Sequence, residues 1–411
     1  MITREQIHEL AQFEDRGACA LSFYFQPTAP RNRAHKEEAI VTKDLLREAL
    51  RQLESKGKCE SARADIDRIA RLSQDLRGNG THAKAVFACA GQGFWREYDL
   101  PPQLRGTRFL LDRRFHLKPL AHLLGAFPSL GIVLVDRHRA RLFELRLGEL
   151  NEREGFFHPP SRRGRSDGFG GYDGGHAERR VADEARQHFK QVAEVLKNAV
   201  EKHAFEKWAL GCQETHWTQF QPQLHSEVAQ RLLGRFSTDV AHVSRKEIQS
   251  QAESIFADWR KRHCSELVRE TVSQARGNGR GVTGLRRVLR SLELGEVQTL
   301  LIGENYTAQA VECTSCGHLD AHLVSFCPVC GRETREVVDV AEAILPRVIR
   351  HDIELFYVTE DPGLDSVGNV AALLRFRSDQ SKVREITDAE AKEFPSRLPG
   401  RVGRYRGVAA G

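Results

Sequence analysis

The chain has 411 residues, which exceeds what one hydrophobic core usually supports, so we expect two to four domains. Hydrophobic residues make up 40% of the sequence and charged residues 29%, a balance typical of a soluble globular protein. The formal net charge is only +6, and no apolar run approaches the roughly 18 residues that a membrane span needs. The charged, amphipathic start has no signal-peptide core, so the sequence predicts a cytoplasmic protein without a membrane partner.

Residues 1–125 predict an N-terminal α+β domain. A short apolar run at 19–25 favours a buried strand, and the period between 33 and 76 favours two antiparallel helices. Two strands joined by Gly91 and Gln92 follow at 83–100, and residues 107–111 suggest another strand. We identify no catalytic group in this domain.

Residues 126–265 predict a central α/β sandwich. Residues 131–136 form a near-continuous apolar run, typical of a strand buried on both faces, and 140–150 alternate as a second strand. A strong helical period runs from Ala177 to Phe205. The order then continues as a strand at 208–213, a helix at 223–236 and a strand at 238–244, which predicts an α/β layer structure.

The central domain contains a glycine- and arginine-rich loop, predicted at 161–176. Six glycines and five arginines fall between Ser161 and Arg180. So much glycine increases the backbone entropy lost on ordering, which argues against a core segment. The arginines are suited to phosphate, so we predict RNA contacts by this set: Arg162, Arg163, Arg165, Arg179 and Arg180.

Residues 266–377 predict a C-terminal α/β domain, and 378–411 a basic flexible tail. A helix over 246–275 has apolar residues at helical spacing and is predicted to bridge the central and C-terminal domains. Helices at 282–293 and 339–350 are expected to alternate with strands at 297–303, 353–358 and 371–376. The tail from Ser396 to Gly411 has four arginines and no acidic residue.

A zinc-ribbon-like insertion is predicted at 312–332. Cys313 and Cys316 form one Cys-X-X-Cys pair, Cys327 and Cys330 form another, and each pair is followed by glycine. Four thiolates at this spacing satisfy tetrahedral Zn²⁺ and leave no open position, so the metal would be structural. His318 and His322 are expected to lie outside the ligand set. The other five of the nine cysteines are scattered, and in a cytoplasmic chain they are expected to be reduced.

The order of these parts resembles the archaeal and eukaryotic class-1 peptide chain release factor and Pelota superfamily, particularly its bacterial release-factor-like members. The resemblance covers roughly 126–377 and depends on the sequence Gly174-Gly175-His176-Ala177, with Arg180, before a long helix. Release factors carry Gly-Gly-Gln at this position, so His176 replaces the glutamine. The resemblance implies a loop that enters the large ribosomal subunit and promotes peptidyl-tRNA hydrolysis, with Gly174, Gly175 and His176 as catalytic candidates.

Three functions follow as alternatives. The first is a ribosome-associated hydrolase that releases peptidyl-tRNA in translation termination or ribosome rescue, with peptidyl-tRNA, ribosomal RNA and a protein bound by the C-terminal domain as partners. The second is a Pelota-like factor that occupies ribosomes without chemistry. The third is an RNA- or protein-binding scaffold unrelated to ribosomes.

Overall fold

The computed structural model describes residues 2, 4–15, 17, 19–26, 42–48, 50–51, 60–75, 83–101, 104, 106–126, 129–146, 148–157 and 174–378. Within these residues the chain is a mixed α/β structure with four β-sheets. None of the described helices is both long enough and apolar enough to cross a membrane. The predicted division into domains at 1–125, 126–265, 266–377 and 378–411 remains a prediction.

The first sheet is antiparallel, with the strand order β3-β2-β1-β4. Its strands are β1 (Ala20–Phe25), β2 (Ala83–Cys89), β3 (Phe94–Leu100) and β4 (Arg108–Asp112). Residues of α1 (Arg4–Gln12) and α3 (Lys118–Ala126) pack on one face, and residues of α2 (Glu60–Asp75) pack on the other. The predicted hairpin at 83–100 is confirmed, with its turn at Ala90–Gln92 followed by Gly93 at a positive φ of 64°.

The central sheet has the strand order β7-β6-β5-β8-β9, and β5, β8 and β9 are parallel to one another. Its strands are β5 (Leu130–Val135), β6 (Arg139–Arg146), β7 (Glu149–Phe157), β8 (Lys207–Gly211) and β9 (Leu232–Phe236). Alternate side chains of β5 face two helices: Val133 and Val135 lie in the core with α4 (Gly174–Glu201), whereas Ile132 and Leu134 lie in the core with α7 (Arg245–Arg276). The predicted α/β layering is therefore present.

Three predictions for this sheet are wrong. The strand predicted over 140–150 is two strands, because the chain turns at Gly148, which has a positive φ of 76°. The helix predicted over 223–236 shrinks to α6 (Ser226–Ala229), since 232–236 pairs with β8 as β9; α5 (Glu214–Phe220) precedes it. Residues 238–244 form no strand. Gly234 lies in β9, where an added Cβ would lie 2.9 Å from Ile255 Cγ2, so the glycine allows close packing of the sheet on α7.

The third sheet has the strand order β10-β16-β11-β15 and contains one parallel pair, β11 with β15. Its strands are β10 (Gly281–Thr283), β11 (Val297–Gly303), β15 (Glu354–Val358) and β16 (Val370–Leu374). Helices α8 (Leu285–Glu293) and α9 (Val340–Arg350) contribute to one core of this sheet. Helix α10 (Pro362–Asp365) contributes Leu364 to another core, which includes Leu301 and Ala371. A small antiparallel sheet, with order β13-β12-β14, carries the cysteines on and beside β12 (Ala310–Cys313), β13 (Leu319–Asp320) and β14 (Thr334–Val337).

Helix α7 bridges the central and third sheets, as the sequence predicts. Its first half buries Ile248 and Ala252 against the central sheet. Its second half buries Cys264, Val268 and Val272 against Leu301 and Ala371 of the third sheet. The helix begins after Ser244, whose side-chain oxygen accepts a hydrogen bond from the Glu247 N–H, a capping arrangement that stabilises helix starts.

Candidate functional site

The Gly-Gly-His sequence lies at the start of helix α4. Gly174, Gly175 and His176 are its first three residues, so the helix begins three residues earlier than the predicted start at Ala177. Most of the glycine- and arginine-rich loop, including Arg162, Arg163 and Arg165, lies outside the described residues, as do the side chains of Gly174–Glu178 and Arg180. Arg179 is exposed. Residues 158–173 stand between edge strand β7 and α4 in the sequence, and the loop predicted over 161–176 is wrong at 174–176, which are helical.

Among the side chains of helix α4 that the structure describes, the buried ones lie in its later turns. Its first buried residue is Ala185, and Phe189, Val192, Leu196 and Val200 continue the same face against β5, β6 and β8. At 1.5 Å per residue, Gly175 lies about 15 Å along the helix axis from Ala185. No described side chain from 179 to 184 is buried. The helix thus carries its Gly-Gly-His end about 15 Å beyond its first buried turn.

The four predicted metal ligands come together in the small sheet. All four Sγ atoms of Cys313, Cys316, Cys327 and Cys330 lie within 4.8 Å of one another. Cys313 Sγ lies 3.4 Å from Cys330 Sγ, and Cys316 Sγ lies 3.7 Å from Cys327 Sγ. Four sulfur atoms this close together could hold a metal ion. Their number and spacing fit a four-coordinate tetrahedral centre.

The two Cys-X-X-Cys turns have the same backbone design. The N–H groups of Ser315 and Cys316 point at Cys313 Sγ from 3.4 Å, and the Val329 N–H points at Cys327 Sγ from 3.4 Å. Each turn closes on a glycine with positive φ, 72° at Gly317 and 69° at Gly331, where a residue with a Cβ would be strained. The glycines after each pair therefore shape the turns that present the sulfurs.

The sulfur environments favour a bound cation. The Cys316 N–H, followed by other donors, lowers the pKa of Cys313 to about 6. At Cys316 the His318 N–H favours the thiolate, but burial and the neighbouring sulfurs of Cys330, Cys313 and Cys327 outweigh it and raise the pKa to about 12. One thiolate forms readily and suppresses ionisation of the next. A divalent cation would remove this conflict, because it stabilises all four thiolates together.

The two histidines of the cysteine block have other partners. His318 Nδ1 lies 2.6 Å from Glu293 Oε1, and His322 Nδ1 lies 3.2 Å from Asp320 Oδ1. Neither joins the cluster of four sulfurs. Their placement agrees with the expectation that they lie outside the ligand set.

The remaining cysteines are not site residues. Cys89, Cys212 and Cys264 are buried free thiols, and burial raises the pKa of Cys212 to about 11, which disfavours a nucleophilic thiolate. Cys19 contradicts the expectation of reduced thiols because it is disulfide-bonded, and Cys59 lies outside the described residues. Linear spacing could not reveal this pairing, since it depends on which strands and helices the fold brings together.

Sequence reasoning missed a buried carboxylate beside the cysteines. Glu312 is 2% exposed, and its Oε1 accepts from Arg114 Nη1 at 2.5 Å. Its Oε2 accepts from Arg335 Nη2 at 2.6 Å, and Arg335 also reaches Asp112 Oδ1 at 3.2 Å. Arg114 and Asp112 belong to the first sheet region, so this network ties that region to the cysteine-bearing sheet. No local pattern signals it, since its members are far apart in the sequence.

Comparison with protein families matches residues 116–257 to bacterial archaeo-eukaryotic release factor family 10. Among curated proteins, the chain is 24% identical over 310 residues to peptide chain release factor subunit 1 from Pyrococcus abyssi, covering 68% of this chain and 74% of that protein. The corresponding protein from Methanococcoides burtonii is 25% identical over 311 residues, covering 68% and 73%.

Solved structures with similarity include an archaeal translation termination factor, aRF1, at 18% identity and a TM-score of 0.25, covering 91% of this chain and 99% of that one. Another is Dom34 from S. cerevisiae, at 9% identity and a TM-score of 0.39, covering 91% and 92%. The family match and the curated relatives agree with the resemblance that the Gly-Gly-His sequence indicates. Residues 116–257 thus match a bacterial family of release-factor-like proteins, and the chain is similar to archaeal peptide chain release factor subunit 1 over 310 residues.

Proposed function

We propose that the protein is a ribosome-associated, release-factor-like translation factor that promotes hydrolysis of peptidyl-tRNA in termination or ribosome rescue. The observation that carries the proposal is the Gly-Gly-His sequence at the start of α4, about 15 Å beyond the first buried turn of the helix. An end held away from the core can enter a narrow site on the large ribosomal subunit while the sheet stays outside.

The proposed chemistry divides between backbone and side chain. The first N–H groups of a helix have no partner inside it, so they can donate to the oxyanion that forms when water attacks the ester. Glycine at 174 and 175 removes side-chain bulk that would hinder close approach to RNA. A neutral imidazole at His176 has one donor and one acceptor, so it can orient the attacking water or accept its proton near neutral pH.

Release of peptide from purified, loaded ribosomes tests this proposal. We expect His176→Ala to reduce the release rate about 100-fold, the usual loss when a catalytic donor or base is removed. Gly175→Ala should also reduce the release rate, because the added methyl group hinders close approach to RNA. His176→Gln restores the family's residue and should retain release. His242→Ala, at an exposed histidine elsewhere in the chain, is the matched control and should release normally. Normal release by both His176→Ala and Gly175→Ala would contradict the hydrolytic role.

A Pelota-like binding factor is the second candidate, favoured by one observation: histidine stands where release factors have glutamine. This function predicts ribosome association without peptide release. Ribosome association should survive His176→Ala. It should weaken, and depend less on salt concentration, when Arg162, Arg163 and Arg165 are changed to glutamine. Co-sedimentation with ribosomes, measured together with release, separates the two candidates, and sedimentation away from ribosomes would favour an unrelated scaffold.

We further propose that the four clustered cysteines bind one structural Zn²⁺. Four thiolates complete a tetrahedral shell, so the ion would stabilise the small sheet without binding substrate. Native mass spectrometry should find one zinc per chain in the wild type and none in Cys313→Ser/Cys330→Ser. Cys264→Ser changes a buried thiol outside the cluster and should keep the metal. A metal-free native protein with all four thiols open to alkylation would contradict the proposal.

A further inference from the structure

The third sheet region carries a second basic feature, separate from the glycine-rich loop. Residues 271–292 contain five arginines and no lysine, histidine, aspartate or glutamate. We call these arginines the arginine surface: Arg276, Arg280, Arg286, Arg287 and Arg290. All five are exposed, and none forms a salt bridge or a side-chain hydrogen bond with another residue of the described chain. Their charge is therefore not neutralised within the described protein.

The arginines lie on three successive parts of the chain: the end of α7, the turn before β10, and α8. Arg276 ends α7, and the turn after it closes through a hydrogen bond from the Gly279 N–H to the Gln274 carbonyl oxygen at 2.7 Å. Arg280 precedes edge strand β10, which pairs on one side with β16. The other three arginines lie on α8, whose opposite face is buried through Val288, Leu289 and Leu292. Arg286, Arg287 and Arg290 thus share the outer face of the helix.

This arrangement works against the stability of α8. Arg286 and Arg287 lie in its first turn, where the helix dipole favours acidic residues, and the preceding Gly284 offers no side-chain cap. Arg290 follows them at spacings of four and three residues, which places like charges side by side. An anionic ligand would relieve this repulsion.

The end of the described chain adds to the same region. Arg377 Nη1 donates to the carbonyl oxygens of Asn278 and Gly279, at 3.1 and 2.8 Å, so residues 375–378 lie against the turn between α7 and β10. Phe376 is 54% exposed there, between Arg375 and Arg377. Exposed aromatic rings beside arginines provide stacking surfaces for unpaired bases.

We propose that the arginine surface binds the phosphate backbone of RNA. A guanidinium group matches a phosphate with two parallel hydrogen bonds, and arginines spread over three elements suit a chain of regularly spaced phosphates. The exposed Phe376 favours RNA over an acidic peptide as the occupant. The proposal rests on the arginine surface alone and does not require peptidyl-tRNA hydrolysis.

Fluorescence anisotropy with a labelled RNA hairpin tests the proposal in the full chain. Arg162, Arg163 and Arg165 are first changed to glutamine, so that the glycine-rich loop cannot supply the binding. In this background, R280Q/R286Q/R287Q/R290Q should weaken RNA binding about tenfold or more and reduce the salt dependence by roughly one phosphate contact per arginine. The matched control removes the same charge at four exposed arginines elsewhere: R71Q/R137Q/R146Q/R262Q. It should weaken binding less than about threefold, since only the general field changes.

Equal losses in the two variants would overturn the proposal, because the effect would then reflect net charge alone. Unchanged RNA binding by the surface variant would also overturn it. A labelled poly-glutamate peptide serves as the competing probe. If the surface variant loses peptide binding while RNA binding persists, the surface binds an acidic protein, and the RNA assignment is wrong. Circular dichroism of both variants confirms that the fold is kept, which the exposure of all eight arginines favours.

Discussion

Glu312 stands out among the ionisable residues because it is buried yet paired on both carboxylate oxygens. Arg114 and Arg335 supply the pairing, and their side chains keep 24% and 28% of their surface exposed. Removing one member of a buried ion pair leaves the others uncompensated and typically costs 3–5 kcal/mol. We expect Glu312→Gln to cost about 3 kcal/mol, the lower end, because both guanidinium groups remain partly hydrated.

Hydrogen–deuterium exchange checks this expectation over 310–320 and 334–337. A loss of about 3 kcal/mol corresponds to a rise of roughly 100-fold in exchange through local opening. Glu336→Gln is the matched control, since Glu336 is an exposed carboxylate on the same small sheet and its change should have little effect. Equal protection in the two variants would show that the buried network contributes nothing.

At the same scale, sequence reasoning found the cysteines but not Glu312. Two Cys-X-X-Cys pairs specify their chemistry through local spacing, and the four sulfurs do cluster. Glu312 adjoins the first of these cysteines, yet its partner Arg114 is 198 positions away. Such a pairing depends on how the first sheet lies against the cysteine-bearing sheet, which no window of local sequence encodes.

Gly281 shows how one small residue fixes the arrangement of two elements. It begins β10, and a Cβ at this position would lie 2.1 Å from the Thr271 carbonyl oxygen and 2.5 Å from the Ala275 backbone nitrogen, both in α7. Backbone atoms cannot rotate away as a flexible side chain can. We therefore expect Gly281→Ala to separate β10 from α7 and to cost about 2 kcal/mol or more, in the range of overpacking.

Hydrogen–deuterium exchange of β10 and β16 measures this separation, and it should rise in Gly281→Ala. The control Gly155→Ala should leave the exchange of these strands unchanged. Gly155 also lies in a strand, but the nearest atom to its added Cβ would be Glu152 Oε1 at 3.7 Å. Unaltered protection of β10 in Gly281→Ala would mean that the two elements tolerate a wider spacing. Because Arg280 precedes this glycine, the same variant should also disturb the arginine surface.

Secondary structure was predicted correctly where an apolar periodicity repeats over many residues. It was predicted wrongly where contacts with distant parts of the chain decide between helix and strand. Helices α4 and α7 have 28 and 32 residues, so their apolar spacing repeats many times. Residues 232–236 are only five, and their pairing with β8 overrides a weak helical pattern. The Gly-Gly-His sequence was located by resemblance, whereas its place within the first turn of α4 required the structure.

For the molecule as a whole, α9 joins the first and third sheets through neighbouring residues. Leu345 is fully buried among residues of α1, α3 and the first sheet. Ile344 and Val348 are buried instead in the core of the third sheet. Polar contacts reinforce the connection, since Glu342 accepts from the backbone N–H groups of Leu117 and Lys118 at 2.6 and 3.0 Å. One helix therefore belongs to two cores.

This arrangement predicts that truncating adjacent residues of α9 destabilises different regions. Leu345→Ala removes buried atoms from the first core, at a cost of about 2–5 kcal/mol, and should raise exchange in α1 and β1–β3. Ile344→Ala is the matched control on the same helix, and its effect should fall on β11 and β16 instead. If both variants raised exchange only in the third sheet, the first sheet would not depend on α9. The predicted division of effects would show that α9 couples the stability of the first sheet to that of the third.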